Sequence, residues 1–356
     1  MEDAIVVGAG QAGLAAGYCL RSRNVDPLLV DAAAPGDAWR RRYDSLVLFT
    51  PSQYSALPGA PFPLPADRYP TKDQVADYLA EYADLHRLRV LGNRRVVAVR
   101  QRDGTGFAIR TGDGTELTAR NVVVATGALQ GPALPGCAAR LDPCVHQLHS
   151  SAYRRPADLP PGRLVVVGMG NSGAQIAEEL SLVREVTVAF DRLPMRLPQR
   201  FLGRDIFWWL LRAGVLDRTA SPARAASDVV GSIPLIGSRL PQLLRRGRVA
   251  RRGRVTDATG RRLLFSDGTS LEVDVVIWAT GYRNDFSWIE VDGALDAQGN
   301  PVHTRGVTRV PGLSFIGLPG LHTKGSAFLG FVGRDAEHLS LVLTGDRARW
   351  RGRLTP

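Results

Sequence analysis

Apolar runs and amphipathic stretches alternate along this 356-residue chain in the order strand, glycine turn, helix. Ala4 to Val7 form an apolar run that leads straight into Gly8, Gly10 and Gly13, and the amphipathic LAAGYCLRSR behind them predicts a first helix. The next apolar run, PLLV, ends at Asp31. Residues 71–85 carry apolar side chains at 75, 78, 79, 82 and 85 behind a cap-like Thr71, which predicts a helix with one buried face. From 88 to 127 apolar and polar residues alternate, and the turn signals RDGTG and TGDGT divide the stretch into three or four strands of an antiparallel meander. The last of these, NVVVATG, reads as a buried strand that closes on a turn of small residues.

The opening pattern then recurs. A proline-rich stretch, 131–161, is followed by RLVVVGMGNSGAQIAEELS, in which Gly168, Gly170 and Gly173 again follow an apolar strand and open a helix. A second strand, EVTVAF, ends at Asp191, which lies 23 residues after Gly168, as Asp31 lies 23 residues after Gly8. The stretch 261–282 is another meander-like close, and its WATGY repeats the VATG of the first unit. Residues 199–247 fit neither unit and predict two or three inserted helices with an aromatic patch at Phe207, Trp208 and Trp209. After 282 come short strands, LSFIG at 313–317, a glycine-rich loop, and a final helix starting near Arg334. The fold class expected is α/β, with two nested dinucleotide-binding (Rossmann-like) domains and antiparallel meanders. The first domain takes 1–155 and 283–356, and the second, inserted in it, takes 156–282.

Each glycine turn has a chemistry. The first glycine permits the tight turn, the second lets backbone approach a pyrophosphate, and the third lets helix pack on strand. The N–H groups at each helix start, Gln11 and Ala12 in the first unit, are expected to face the phosphates with the positive end of the helix dipole. An acid at the end of the second strand takes ribose hydroxyls, the role expected of Asp31. The turns Thr126–Gly127 and Thr280–Gly281 flank the two cradles, and Asp335 opens a helix that could point at a cofactor ring. Two dinucleotide sites in one chain imply electron transfer between two dinucleotides, so the first unit is expected to hold FAD and the second NAD(P)H.

Composition narrows the class. Cys19, Cys137 and Cys144 form no CxxC pair, so neither a redox dithiol nor a zinc site is indicated and no metal is expected. Sparse cysteine and a first strand that begins within a few residues leave no room for a signal peptide and fit a cytoplasmic location. The longest apolar run, IFWWLL, is too short to span a bilayer. The net charge of +11 is carried almost wholly by Arg, with clusters at 245–254 and 347–353, and no nucleic-acid-binding signature accompanies it.

The motifs GAGQAG, WRRRYDSLVLFTP (39–51), DRYPTKDQVADYL (67–79), VVATG, HSSAYR (149–154), VVVGMGNSG, WATGY and GSAFLGFVGRDAEHL (325–339) together resemble the class B flavoprotein monooxygenases, the flavin-containing monooxygenase group, in its short bacterial and YUCCA-like branch. The resemblance covers nearly the whole chain. It implies that NAD(P)H reduces FAD and that O2 adds at the flavin C4a position. The resulting (hydro)peroxyflavin passes one oxygen to a small nitrogen, sulfur or carbonyl substrate. It further implies that Trp39, Arg40 and Tyr43 contact the FAD ribose or flavin region, that Asn171 and Ser172 meet the nicotinamide nucleotide's phosphates, and that His149 belongs to a linker between the domains. The chain departs from the family at Pro143 and Val145, where Phe and Gly are usual, and at Phe49, where many members carry Asn or His. Phe cannot hydrogen-bond a peroxide, and Thr50 beside it is the alternative. Asp191 favours NADH at the second site, whereas Arg192 and Arg196 could receive the 2′-phosphate of NADPH, the nucleotide the resemblance favours. Two alternatives stand beside the monooxygenase: an NAD(P)H-dependent flavin reductase or oxidase without oxygen insertion, and a redox-sensing flavoprotein linked to cation transport. The substrate and the oligomeric state are not legible in the sequence.

Overall fold

Apolar runs flanked by helices pack as parallel strands, because only a sheet covered on both faces buries such runs completely. A computed structural model describes residues 1–102, 105–219 and 234–345. In chain order the main elements are β1 (Glu2–Val7), α1 (Gln11–Arg21), β2 (Leu28–Val30), α2 (Lys72–Leu85), β3 (Arg89–Leu91), β4 (Val96–Gln101), β5 (Phe107–Thr111), β6 (Glu116–Val124), β7 (His146–His149), β8 (Leu164–Val167), α3 (Asn171–Leu180), β9 (Val186–Ala189), α4 (Ile206–Arg212), β10 (Val249–Arg252), β11 (Val275–Trp278), β12 (Leu313–Phe315) and α5 (Gly333–Leu343).

The first sheet has the parallel order β12, β6, β1, β2, β3. Its two halves come from opposite ends of the chain, so the second unit is inserted in the first, as the pattern predicts. The strand β6 serves twice. Its first half pairs antiparallel with β5 in the meander β4–β5–β6, and its buried second half, Val122–Val124, lies between β1 and β12. One strand differs from expectation: β3 is not part of the meander but extends the parallel sheet beside β2.

The second sheet is parallel throughout, in the order β10, β9, β8, β11, β7. Its edge strand β7 precedes residue 155, where the sequence pattern set the domain boundary, so the second sheet draws on residues from His146 onward. The short polar strand HQLH is hard to read as sheet, because only its pairing with β11 buries it. Between β10 and β11 a three-stranded antiparallel sheet (Val255–Thr259, Arg262–Phe265, Ser270–Glu272) covers one face, as the meander-like pattern predicts. The two chain crossings between domains pair with each other as a ribbon of Gly131–Pro132 against Tyr282–Arg283.

The proline-rich excursion 50–70 is ordered for a local reason. Thr71 caps α2 with a full capping box through Gln74. The buried tyrosines of α2 then satisfy the backbone of the excursion: Tyr78 Oη accepts from Leu57 N–H (2.7 Å) and donates to Ala60 O (2.9 Å), and Tyr82 Oη donates to Pro58 O (2.5 Å). Leu85, expected on the same face, lies at the helix end and is exposed. In the inserted region, the described residues hold a hairpin (Arg200–Phe201 with Arg204–Asp205), α4, and a helix Leu240–Arg245. Residues 220–233 of that insertion, and the Arg cluster 347–353, lie outside the described residues. Among the described residues no helix is long and apolar enough to cross a membrane.

Candidate flavin and nicotinamide nucleotide sites

The two glycine turns are built alike, bond for bond. Gly8 N–H donates to Val30 O (2.8 Å) and Gly168 N–H to Ala189 O (3.0 Å). Ala125 N–H donates to Val7 O and Ala279 N–H to Val167 O, both at 2.8 Å. Gly8 (φ +111°) and Gly168 (φ +95°) adopt backbone that side chains rarely allow, and a Cβ on Gly8 would stand 2.7 Å from Ala125 O. A Cβ on Gly13 or Gly173 would collide with the carbonyl of Gly8 or Gly168, so each third glycine lets helix meet turn. At Gly10 and Gly170 a Cβ would meet nothing within 4 Å. Each middle glycine therefore borders open space at a helix N-terminus, the place where a pyrophosphate would lie.

The acids differ between the cradles. Asp31 turns toward its own cradle: Oδ2 accepts Ala9 N–H (2.6 Å) and Oδ1 accepts Ala33 N–H (2.8 Å). Asp191 is exposed and turns away, with Oδ1 accepting from Ser266 Oγ (3.1 Å) and Oδ2 ion-paired with Arg254 at 3.2 Å. The Arg254 pair offsets the charge that would repel a 2′-phosphate, and exposed Arg192 is adjacent in sequence.

The C-terminal helix supplies a further group. Asp335 is 2% exposed in the first turn of α5, and its Oδ2 has no hydrogen-bond partner. Burial raises its carboxyl above the usual range, against the opposing hydrogen bond from Ser326 and the charges of His322, Arg305 and Arg334. Nearby, Gly317 (φ +77°) has no room for a side chain, since its Cβ would stand 2.5 Å from that of Ala12 in α1. Gln11 Nε2 donates to Ala327 O (2.9 Å), joining the start of α1 to the loop before α5. The orphaned carboxylate oxygen and the open cradle at Gly10 fit a dinucleotide with a hydroxyl-bearing chain, which a flavin dinucleotide has.

The three residues expected around the FAD ribose or flavin have protein partners. Arg40 is ion-paired with Asp77 of α2 at 2.6 Å on the surface, and Trp39 packs partly buried on the first core. Tyr43 packs in the core of the second domain, beside Tyr153 and with its Oη donating to Gln175 of α3, and it also hydrogen-bonds Ser172. The sequence could not separate these roles, because the Arg-rich WRRRY presents five long side chains on one short turn. Around Tyr43 the first domain grips the second: Arg42 donates to Tyr282 Oη (2.9 Å), and Asp44 pairs with Arg155 at 3.0 Å. Asn171 Nδ2 donates to Pro234 O (3.1 Å), so Asn171 and Ser172 both hold protein partners at the second cradle. Of the two flanking turns, Thr126 Oγ1 accepts from Gln130 (3.1 Å), while Thr280 Oγ1 donates to Ala133 O (2.5 Å) across the ribbon.

His149 is 5% exposed, and burial lowers its pKa. Its Nε2 lies 2.9 Å from Gly281 O, which can only accept, so Nε2 carries the proton and Nδ1 faces Ser151 Oγ at 2.9 Å. Nε2 thus ties β7 to the second crossing, while Nδ1 holds the local turn at Ser151, so both ring nitrogens have protein partners.

Phe49 and Thr50 part company. The Phe49 ring stacks on Phe207 of α4 (6.1 Å between centroids, 8° between planes) and meets Phe328 edge-on. With Tyr54, Phe331 and Leu216 these rings form one apolar cluster, drawn from the first-domain excursion, the insertion and the loop before α5. Thr50 instead lies inside the turn 50–55, 6% exposed, its Oγ1 accepting from Ser55 Oγ (3.0 Å). A group that the sequence reading missed supports the cluster. Buried Asp205 caps α4 through Phe207 N–H (2.7 Å) and accepts from Tyr69 Oη (2.7 Å) and Gln199 Nε2 (2.9 Å). Burial and this bond push the Tyr69 phenol up to about 12. An Asp directly before the apolar run IFWWLL is a legible cap signal.

Comparison with known proteins agrees with this geometry. The pyridine nucleotide-disulphide oxidoreductase family matches residues 5–196. A CzcO-like oxidoreductase of Geobacillus kaustophilus is 42% identical over 338 residues, which cover 95% of this chain and 97% of that protein. The indole-3-pyruvate monooxygenase YUCCA1 of rice is 28% identical over 99% of this chain and 93% of its own. Among solved structures, a flavin-containing monooxygenase from Stenotrophomonas maltophilia superposes with a TM-score of 0.80 at 30% identity, covering 98% of this chain and 100% of that one. The duplicated cradles and the relatives that share them identify the chain as a flavoprotein oxidoreductase of the pyridine nucleotide-disulphide oxidoreductase family, in its class B flavoprotein monooxygenase group.

Proposed function

We propose that the chain is an FAD-dependent monooxygenase that takes its electrons from NADPH and transfers one oxygen atom of O2 to a small nitrogen, sulfur or carbonyl compound. The observation that carries this reading is the pair of open cradles at Gly10 and Gly170 in a protein whose three cysteines are all unpaired. Electrons brought to the flavin have no dithiol to leave by, which argues against disulfide reduction. Bound FAD would supply the redox chemistry, receiving a hydride and passing electrons to O2.

The protein's own residues do the rest. The N–H groups of Gln11 and Ala12 and the carboxylates of Asp31 and Asp335 would hold the FAD. The start of α3, with Arg192 at the ribose, would hold NADPH, and Asp191 is kept from the 2′-phosphate by its pairing with Arg254. Tyr43 and Arg42 fix the second domain against the first, which sets how the two bound rings meet. The rings of Phe49, Phe207, Phe328 and Phe331 would wall a dry substrate pocket, where exclusion of water favours oxygen transfer over release of peroxide.

A second reading has one observation in its favour. Phe49, at the place where many relatives carry Asn or His, offers no hydrogen bond to a reactive oxygen, as an NAD(P)H oxidase without insertion would require. Turnover under 18O2 with a panel of sulfides, amines and ketones separates the two. The label is expected in product, with little peroxide released. Peroxide equal to the NADPH consumed, with no labelled product from any substrate class, would favour the oxidase.

A further inference from the structure

The aromatic patch 207–209 divides into two. Phe207 is fully buried in the aromatic cluster, whereas Trp208 and Trp209 face outward. Trp208 and Trp209 are half-buried and meet edge-to-face at 4.6 Å between centroids. The hairpin before α4 leans on them: Trp209 Nε1 donates to Phe201 O (2.9 Å) and the Phe201 ring packs edge-on against Trp209. At the hairpin tip Phe201 is 51% and Leu202 75% exposed. Leu202 is held there at φ +46°, where Gly or Asn would cost less. The side chains around these apolar tips are cationic. Arg204 and Arg212 lie over the Trp208 ring at 5.5 and 5.2 Å, and Arg200, on the hairpin itself, is exposed. Arg200 also pairs with the surface acid Asp67 at 3.8 Å.

Aliphatic and aromatic tips ringed by arginine, with tryptophans at the boundary, are the composition of a surface that lies in a membrane interface. A second copy of the chain fits less well. A two-fold contact would set this arginine ring against its own image, in a protein of net charge +11. We propose that the hairpin 200–205 and the outer face of α4 dock on an anionic lipid surface, with Phe201 and Leu202 entering the headgroup layer and Arg200, Arg204 and Arg212 meeting the lipid phosphates.

Sedimentation of the flavin-loaded full chain with phosphatidylcholine vesicles, with and without a minor share of phosphatidylglycerol, tests this. The protein is expected in the pellet only with phosphatidylglycerol, and added salt should release it. Leu202→Asp is expected to lower the partition about tenfold, and the pair Arg204→Gln with Arg212→Gln about tenfold or more. Both variants should keep their flavin and its reduction by NADPH in buffer. The lipid and salt arms use the unaltered protein, so they stand even where a variant misfolds. Protein that stays in the supernatant with phosphatidylglycerol, or pellets equally on neutral vesicles, would overturn the proposal. So would variants that turn a dimer into a monomer by light scattering while leaving sedimentation unchanged.

Discussion

One added methyl group, placed at equivalent points of the two cradles, separates their roles. Gly10 (φ −77°, ψ −171°) and Gly170 (φ −74°, ψ −176°) are in extended backbone that alanine adopts without strain. A Cβ at either meets no atom within 4 Å. Neither substitution should harm the apoprotein, and each should add about 0.4–1 kcal/mol by restricting the unfolded chain. The methyl would occupy the space through which a phosphate reaches the helix N–H groups. Loss of one charge-assisted hydrogen bond, about 1.5–3 kcal/mol, corresponds to roughly 10- to 100-fold in affinity. Gly10→Ala is therefore expected to purify largely without flavin and to bind added FAD that much more weakly. Gly170→Ala should keep its flavin and need as much more NADPH for anaerobic reduction. Gly13→Ala is the contrast, because its Cβ falls on the Gly8 carbonyl and the fold itself should suffer by about 1–3 kcal/mol or more. The assays are flavin-to-protein ratio, thermal unfolding of the apoprotein, and anaerobic titration. Flavin loss in Gly170→Ala with normal binding in Gly10→Ala would refute the assignment of the sites. Unfolding of either would refute the cradle geometry.

Other expectations follow from single groups. Asp335→Asn removes a buried charge whose Oδ2 has no partner, so the apoprotein should gain about 1–3 kcal/mol while FAD binding weakens, read by thermal shift and flavin titration. Burial lowers the pKa of His149 and His303 below the free value of 6.5, so their stability contribution is complete above that pH and is lost as pH falls through the folded pKa values. Urea midpoints should accordingly fall below pH 6.5 and stay flat above it as far as these groups decide. Arg192→Gln should raise the Kd for NADPH about tenfold and leave NADH unchanged, as anaerobic titration with both would reveal. Phe207→Ala, at a side chain with no exposure, should cost about 3–5 kcal/mol in a denaturant melt and increase the peroxide released per NADPH.

The parts of the fold that local chemistry dictates were legible in the sequence. Each glycine trio between strand and helix, the cap at Thr71, and the return of the chain to short strands at LSFIG follow from local pattern alone. What was not legible depends on pairing across distance. HQLH becomes a strand because β11 lies beside it, and Arg89–Leu91 joins the parallel sheet because β2 offers an open edge. The site divides the same way. The backbone cradles follow from glycine positions, but side-chain roles do not. Arg40 and Tyr43, three residues apart, end on a surface ion pair and in the core of the other domain. Phe49 and Thr50, adjacent in sequence, end against an aromatic cluster and inside a buried turn.

The central claim is that a flavin in the first cradle is reduced by a nucleotide in the second. Anaerobic rapid mixing of the flavin-loaded protein with NADPH tests it most directly. Full loss of the flavin's visible absorbance with one equivalent of NADPH, slowed in Gly170→Ala and restored there at higher nucleotide concentration, is the result predicted. A flavin that neither NADPH nor NADH reduces, or that is reduced equally well in Gly170→Ala, would contradict it.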